Sequence, residues 1–381
     1  MPSLTAGLVS TIIPVYQRPG LLEEAVASVL AQTYRPIEIL IVDDGSTDAT
    51  GDVGRRLASE HPNIVRYYWQ PHAVFPASGW THARNRGLAE IRGEFVQFLD
   101  SDDLLLPRKF ERQVAGLRAH PECGISYCFV REYPIGTTPV DRPARRTGIT
   151  ETQLFPKVLD GKFWPAPAPL YRRDVVDANG LFGDYSAYED WEYECRAAAR
   201  GVRLHHCREF LADKRATHLL EQRPSSVPAH ALGHASIVFE RVLGYARTAD
   251  VGDRVLARFA TRLFRLARRC AVEGHPEAAD RLLVLSASAA SVFGRGRLLV
   301  FAALRRAVGL ERAAAWTDRA VRSRPAHALV QLRRWPARAS ARWRYRLGRA
   351  RQLMSTHPPA RWPLVLGRAW MSRQSRATRQ R

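Results

Sequence analysis

Over its first 130 residues the chain alternates two hydrophobic periodicities, and that alternation restricts the fold more than any other feature it carries. Short β-branched or apolar runs at residues 8–13, 37–42, 64–69 and 95–99 read as strands. Between and after them, residues 21–32, 48–60, 81–91 and 107–120 have helical spacing; Ser46-Thr47-Asp48 supplies a helix-start cluster and Pro107 takes a favoured first helical position. Such alternation predicts an α/β chain with a mainly parallel, doubly wound sheet. Ligands of such sheets bind beyond the carboxyl ends of the strands. Two of those ends carry acids, Asp43-Asp44 after the second strand and Asp100-Ser101-Asp102-Asp103 after the fourth.

Carboxylates packed this closely repel one another and require a cation, an arginine partner or solvent. A divalent metal whose shell is completed by a ligand's phosphates meets that requirement at the second cluster. The structural alternative is that Asp102 and Asp103 only open the following helix. Asp43-Asp44 faces the same crevice and can accept hydrogen bonds from a base or ribose, or serve turn chemistry in Asp-Asp-Gly-Ser. No Gly-x-Gly-x-x-Gly follows the first strand, so a dinucleotide cofactor is not indicated.

Four motifs stand in register: Ile13-Pro14-Val15-Tyr16, Val42-Asp43-Asp44-Gly45-Ser46-Thr47-Asp48, Ala83-Arg84-Asn85-Arg86-Gly87 and Phe98-Leu99-Asp100-Ser101-Asp102-Asp103. With Leu170-Tyr171-Arg172-Arg173, Gly180-Leu181-Phe182-Gly183-Asp184 and Tyr188-Glu189-Asp190-Trp191, they resemble family 2 glycosyltransferases of the GT-A fold over residues 7–220. The resemblance implies a GT-A domain at 1–228, with a nucleotide-sugar half at 1–125 and an acceptor and catalytic-base half at 126–228. By position, Asp44 would contact the nucleobase, with Pro14 and Tyr16 lining its pocket. Asp100 and Asp102 match the family's Asp-x-Asp; Asp100 would meet ribose or metal, and Asp102 would hold the Mn²⁺ or Mg²⁺ that bridges the diphosphate. Arg84 would support the nucleotide side or pair with an acid of the crevice, and Asn85 would pack its helix.

Glu189-Asp190 matches the family's catalytic carboxylate, and Asp190 is the expected base. One carboxylate suffices, because a metal-neutralised diphosphate leaves without protonation while the acceptor hydroxyl must lose its proton. The structural alternative is that Glu189, Asp190 and Glu192 favour the positive end of a helix running to Ala199. Trp164, Tyr185, Tyr188 and Trp191 would stack on sugar rings or fill the core. His218, in a loose match to a late basic element beginning at Lys214, is a metal or phosphate contact or a surface histidine. Trp80 and His82 stand where the family pattern commonly has a glycine-rich lead into Ala-Arg-Asn.

The expected activity is inverting transfer from a nucleotide-diphosphate sugar, UDP-linked, to a hydroxyl of a glycan or lipid-linked acceptor. The competing class is a non-catalytic GT-A-like module whose basic tail binds nucleic acid or another polyanion, but no nucleic-acid module is recognisable. A sugar-nucleotide-forming nucleotidyltransferase would need a glycine-rich phosphate loop where Pro14-Val15-Tyr16-Gln17-Arg18 stands.

Charge is distributed unevenly. From Ala231 to Arg381 there are 31 arginines against 8 acids, whereas the preceding residues carry 27 basic and 29 acidic side chains. Seventeen arginines follow Asp318 and no acid does. After Pro228 the texture turns to Ala, Leu and Arg at helical spacing, with a helical hairpin expected at residues 255–270 and 278–290 and similar hairpins between Leu298 and Arg322. From Ala326 onward, Trp335 and Trp343 among arginines form a basic amphipathic pattern suited to an anionic membrane surface, or else a solvated helix. Only four lysines occur, Lys109, Lys157, Lys162 and Lys214. Five cysteines without a Cys-x-x-Cys pair suggest neither a zinc ribbon nor a disulfide framework. The first 20 residues show no secretory pattern, and no apolar stretch approaches the length of a bilayer span. The expectation is a cytoplasmic protein, peripheral at the inner face of the plasma membrane.

Overall fold

Strands that are apolar along their whole length, rather than on alternate residues, call for cover on both faces, and this chain supplies it. The computed structural model describes residues 3–72, 79–216, 231–290, 301–306 and 309–315. Within them eight strands form one sheet: β1 (Thr5–Val15), β2 (Ile37–Asp43), β3 (Val65–Trp69), β4 (Gly93–Phe98), β5 (Leu104–Leu105), β6 (Cys123–Pro134), β7 (Pro169–Arg172) and β8 (Arg203–Ala216). Their spatial order is β3-β2-β1-β4-β7-β6-β8-β5. The β3-β2-β1-β4 half is parallel. β7 runs antiparallel to both β4 and β6, β8 is parallel to β6, and β5 is antiparallel to β8. The sheet is thus mixed, with its parallel half where the alternating pattern predicts it.

Helices cover this sheet. α1 (Pro19–Leu30) places Leu22, Ala25, Val26 and Val29 in the core at the spacing of one helical face, with its proline in the first turn. α2 (Thr50–Glu60), α3 (Gly79–Glu90), α4 (Lys109–Ala119) and α5 (Arg173–Asn179) complete the layers. α4 begins two residues later than Pro107 predicts. The carbonyl of Pro107 accepts the Thr33 amide at 2.9 Å, so the helical ladder opens one residue later, with the Arg112 amide on the Arg108 carbonyl.

The chain order reverses at β1, with β2 on one side and β4 on the other, so a crevice opens beyond their carboxyl ends. Pro14, Asp43-Asp44 and the acidic run after β4 all stand at that edge. β5, unforeseen in the sequence, pairs Leu104 with Asp213 and ties the acidic run to β8.

α6 (Glu189–Ala199) carries the second acidic pair and supports the helices that follow, α7 (Leu232–Thr248), α8 (Asp253–Val272) and α9 (Pro276–Ala289). α8 and α9 form the expected hairpin. Trp191 is buried between Phe239 and Phe259, at 4.8 and 6.2 Å between ring centroids, and the Arg262 guanidinium lies 4.9 Å over its ring. Tyr245 Oη donates to Glu192 Oε1 at 2.7 Å. The segment from Trp316 on, which holds the tryptophan-arginine pattern, lies outside the described residues, as do residues 298–300 and 307–308 of the expected hairpin region after Leu298.

Candidate active site

Asp43 and Asp44 have separate roles. Asp43 Oδ1 accepts the Ser46 amide at 2.8 Å and Oδ2 accepts the Tyr67 hydroxyl at 2.7 Å, so Asp43 serves the turn. Asp44 is also buried, at 3% exposed, with Oδ1 accepting from Gln70 Nε2 at 2.8 Å and Oδ2 lying 2.7 Å from His72 Nδ1. His72 in turn stacks on Tyr16. The expected base-pocket residues therefore meet, but a histidine of the same chain covers them.

Beyond the ends of β1 and β4 lies a cleft of about 260 Å³, bordered by Pro14, Arg18, Trp80, Arg84, Asp100, Asp102, Lys162, Glu189, Asp190 and Lys214. Arg84, on α3 and 4% exposed, is its hub. Its Nη2 donates to Asp100 Oδ1 at 2.8 Å and its Nη1 to Asp190 Oδ1 at 2.7 Å, with Glu189 Oε1 3.8 Å away. Lys162 Nζ donates to the other oxygen of Asp190. Arg18 Nη1 lies 3.1 Å from Asp102 Oδ2, and its guanidinium sits 5.6 Å from the Trp80 ring. Asp103 accepts the Arg215 amide at 2.8 Å through Oδ1, while its Oδ2 is buried without a hydrogen-bond partner. The oxygens of Asp100, Asp102 and Asp103 lie within 4.8 Å of one another, the one such potential metal-holding cluster among the described residues.

These neighbours set the acidities. Burial opposes ionisation of Asp190, but Arg84 and Lys162 overcome it and hold its carboxyl well below the usual range. Burial likewise works against Asp100, and Arg84 and Lys214 outweigh it, leaving its pKa lowered. Asp102 and Asp103 go the other way, raised by burial and then by the charge of Asp100. Glu189 is pushed up to about 7 by burial and by the neighbouring Asp190. Glu194, whose Oε2 accepts the Phe163 amide at 2.6 Å, is pushed up to about 8 by burial.

Six of the expected site residues thus have described positions that bear on one another: Pro14, Arg84, Asp100, Asp102 and Asp190 border the cleft, and Glu189 joins them. Tyr16 and Asp44 sit beside it under His72. His218 lies outside the described residues. Asn85 has the packing role expected of it, exchanging hydrogen bonds with the Phe182 backbone at 2.8 and 3.0 Å. Trp164, Tyr185 and Trp191 are core residues, at 1, 6 and 1% exposed, which removes them as sugar platforms. The sequence reading missed the cations. Arg18 and Lys162 were not singled out as parts of the cleft, and Lys214 was marked only as the start of a basic element expected near the diphosphate, with Arg215 or Arg223 as alternatives for the phosphate contact.

Residues 10–179 match the family described as "Glycosyl transferase family 2". The uncharacterized glycosyltransferase alr2836 of Nostoc sp. is 39% identical over 173 residues, covering 44% of this chain and 52% of that protein. The uncharacterized glycosyltransferase YibD of Escherichia coli is 32% identical over 183 residues, covering 45% of this chain and 50% of that protein. The chain thus spans about half, or less, of the curated relatives it matches. The crystal structure of S. aureus TarS 1–349 in complex with UDP-GlcNAc superposes with a TM-score of 0.58 at 18% identity, over 80% of this chain and 89% of that one. That likeness establishes a common GT-A-like fold. The matched segment holds Asp43-Asp44 and Asp100-Ser101-Asp102-Asp103, and it is this part of the chain that is similar to glycosyl transferase family 2.

Proposed function

We propose that the chain is an inverting glycosyltransferase that moves a sugar from a UDP-type nucleotide-sugar to a hydroxyl of a glycan or lipid-linked acceptor. The observation that carries this reading is the meeting of the Asp-x-Asp acids and the Glu189-Asp190 pair across one guanidinium in one cleft. A donor diphosphate beside the first and an acceptor hydroxyl beside the second would be neighbours. The UDP-GlcNAc complex of the similarly folded TarS supports a UDP-linked donor.

The acids fit a hard divalent ion. They offer three carboxylate oxygens within 4.8 Å of one another, and Asp103 Oδ2 lacks a partner. Asp102, together with Asp100, would hold Mn²⁺ or Mg²⁺, and a bound ion supplies neutralisation of the departing diphosphate. Asp190 takes the acceptor's proton. Arg84 and Lys162 orient its carboxylate and keep it ionised at neutral pH, at the cost of lower basicity. Glu189 is the second reading for the base, because a pKa of about 7 matches a general base working near neutrality.

An anionic membrane surface is the proposed neighbour of the C-terminal region. Arg254, Arg258 and Arg265 stand exposed on one face of α8, which supports it, and each arginine near such a surface contributes about 1 kcal/mol. The proposed attachment is peripheral, at the cytoplasmic face; no described helix is long and apolar enough to cross a membrane.

Calorimetry of UDP with Mn²⁺ and with EDTA tests the site. Binding should require the metal and fall in Asp102→Ala; equal affinity in EDTA would remove the ion from the mechanism. Screening nucleotide-sugar hydrolysis with either metal tests the activity, and turnover of no donor by the folded chain would count against a transferase.

A further inference from the structure

We propose that His72 occupies the nucleobase position of the donor pocket and must swing away before a donor binds. This rests on the reading of Tyr16 and Asp44 as the base pocket. The imidazole stacks on Tyr16 with ring centroids 4.2 Å apart and 16° between planes. Its Nδ1 lies 2.7 Å from Asp44 Oδ2 and 2.9 Å from the Asp44 carbonyl oxygen. Both atoms are acceptors, so Nδ1 carries the hydrogen. A flat heteroaromatic ring that stacks on Tyr16 and aims an N–H at Asp44 offers what a uracil would offer through its own face and N3–H. His72 satisfies the two recognition groups with protein atoms.

The backbone under this ring is held by contacts that a base would not replace, and the ring by contacts that a base would replace. Gly45 has φ +78°, and a Cβ there would fall 2.4 Å from the His72 amide nitrogen, so the chain passes directly over the Asp44-Gly45 turn. The Gln70 amide donates to the Asp43 carbonyl at 3.0 Å, and Gln70 Nε2 donates to Asp44 Oδ1 at 2.8 Å. The His72 side chain, 40% exposed, is held by the stack and the Nδ1 hydrogen bonds, and a base can replace each of these. A side-chain rotation therefore opens the pocket without moving the segment that carries it. The arrangement also explains why Tyr16 and Asp44 do not border the cleft, whose volume of about 260 Å³ is below the roughly 300–1,000 Å³ of ligand pockets.

A site that must open before binding has its affinity reduced by the fraction of time it is open. His72→Ala should therefore bind UDP about 5- to 20-fold more tightly than the wild type, the range expected from losing one competing stack and one competing hydrogen bond. His72→Phe, which keeps the stack, should gain much less. Inorganic pyrophosphate has no base, so its affinity should be the same in all three proteins. Calorimetry with Mn²⁺ on the full chain reads all of these. Unchanged or weaker UDP binding in His72→Ala, or equal tightening of pyrophosphate, overturns the proposal. The base-pocket reading is checked separately with Tyr16→Ala. If that variant loses the preference for UDP over pyrophosphate while His72→Ala gains none, the gate fails and the pocket stands; if the wild type and Tyr16→Ala show no preference, both fail.

Discussion

Replacing Asp190 with asparagine should lower turnover by about 10²–10⁴-fold, or about 3–5 kcal/mol of barrier, because an amide of the same shape cannot take the acceptor's proton. The surroundings indicate that little else should change. Arg84 keeps Asp100 at 2.8 Å, so its buried charge stays compensated. Lys162, with 21% of its side chain exposed, loses its charged partner, and because asparagine has one acceptor oxygen its NH2 faces either Lys162 Nζ or Arg84 Nη1, donor against donor, a stability cost of about 1–3 kcal/mol. UDP affinity should stay within about twofold, since the change would remove an interaction of the acceptor step only. The assay is UDP release from a panel of UDP-sugars with Mn²⁺, paired with UDP calorimetry on the same preparation. If Glu189→Gln is inactive while Asp190→Asn works, the base is Glu189, and the pKa of about 7 identified it better than position did. If Asp190→Asn loses UDP affinity as much as turnover, Asp190 belongs to the donor side and the assignment is wrong.

Glu194→Gln tests the buried acid behind the cleft. A carboxyl raised from 4.5 to about 8 contributes stability that is fully present below the unfolded value and lost as pH rises through the folded one. The variant should therefore gain on the wild type by about 2–4 kcal/mol between about pH 5 and about pH 9 in chemical unfolding, and a gap independent of pH would refute this. Gly45→Ala combines a left-handed φ of +78° with a 2.4 Å approach to the His72 backbone, so it should destabilise by about 1–3 kcal/mol, and unchanged thermal stability would contradict that geometry. Co-sedimentation with liposomes of graded anionic content tests the tail, comparing the full chain with a truncation ending at Arg324. Binding should rise with anionic lipid, fall with salt and be lost on truncation; retention by the truncated chain, or equal binding to neutral vesicles, would refute the anchor, and displacement by DNA at low concentration would favour nucleic acid.

The parallel half of the sheet was legible because its strands are continuous apolar runs and its helices repeat at the spacing of α1. The acids were legible because carboxylates crowded at a strand end have few inert explanations. Their partners were not. Arg84 meets Asp190 across 106 residues, and Arg18 reaches Asp102 from the loop after β1, so each pairing exists only once the chain has folded. Asp102 and Asp103 look equivalent in sequence, yet the addition of β5 to the sheet turns Asp103 toward the Arg215 amide and leaves Asp102 facing the cleft. Trp191 could be read two ways until Phe239, Phe259 and Arg262 closed over it. Those contacts come from beyond Pro228, where the change of composition suggested a boundary. The helices after it complete the packing of α6.

One guanidinium joins Asp100, on the proposed donor side of the cleft, to Asp190, the proposed base. Whatever draws Arg84 toward Asp100 loosens its hold on Asp190 and makes that carboxylate a stronger proton acceptor. Linkage makes the effect reciprocal, so protonating Asp190 must change donor affinity by the same factor that donor binding changes the proton affinity of Asp190. Two independent dissociation constants therefore cannot describe this cleft. If the proposed roles hold, donor affinity and the protonation of Asp190 need an interaction coefficient between them.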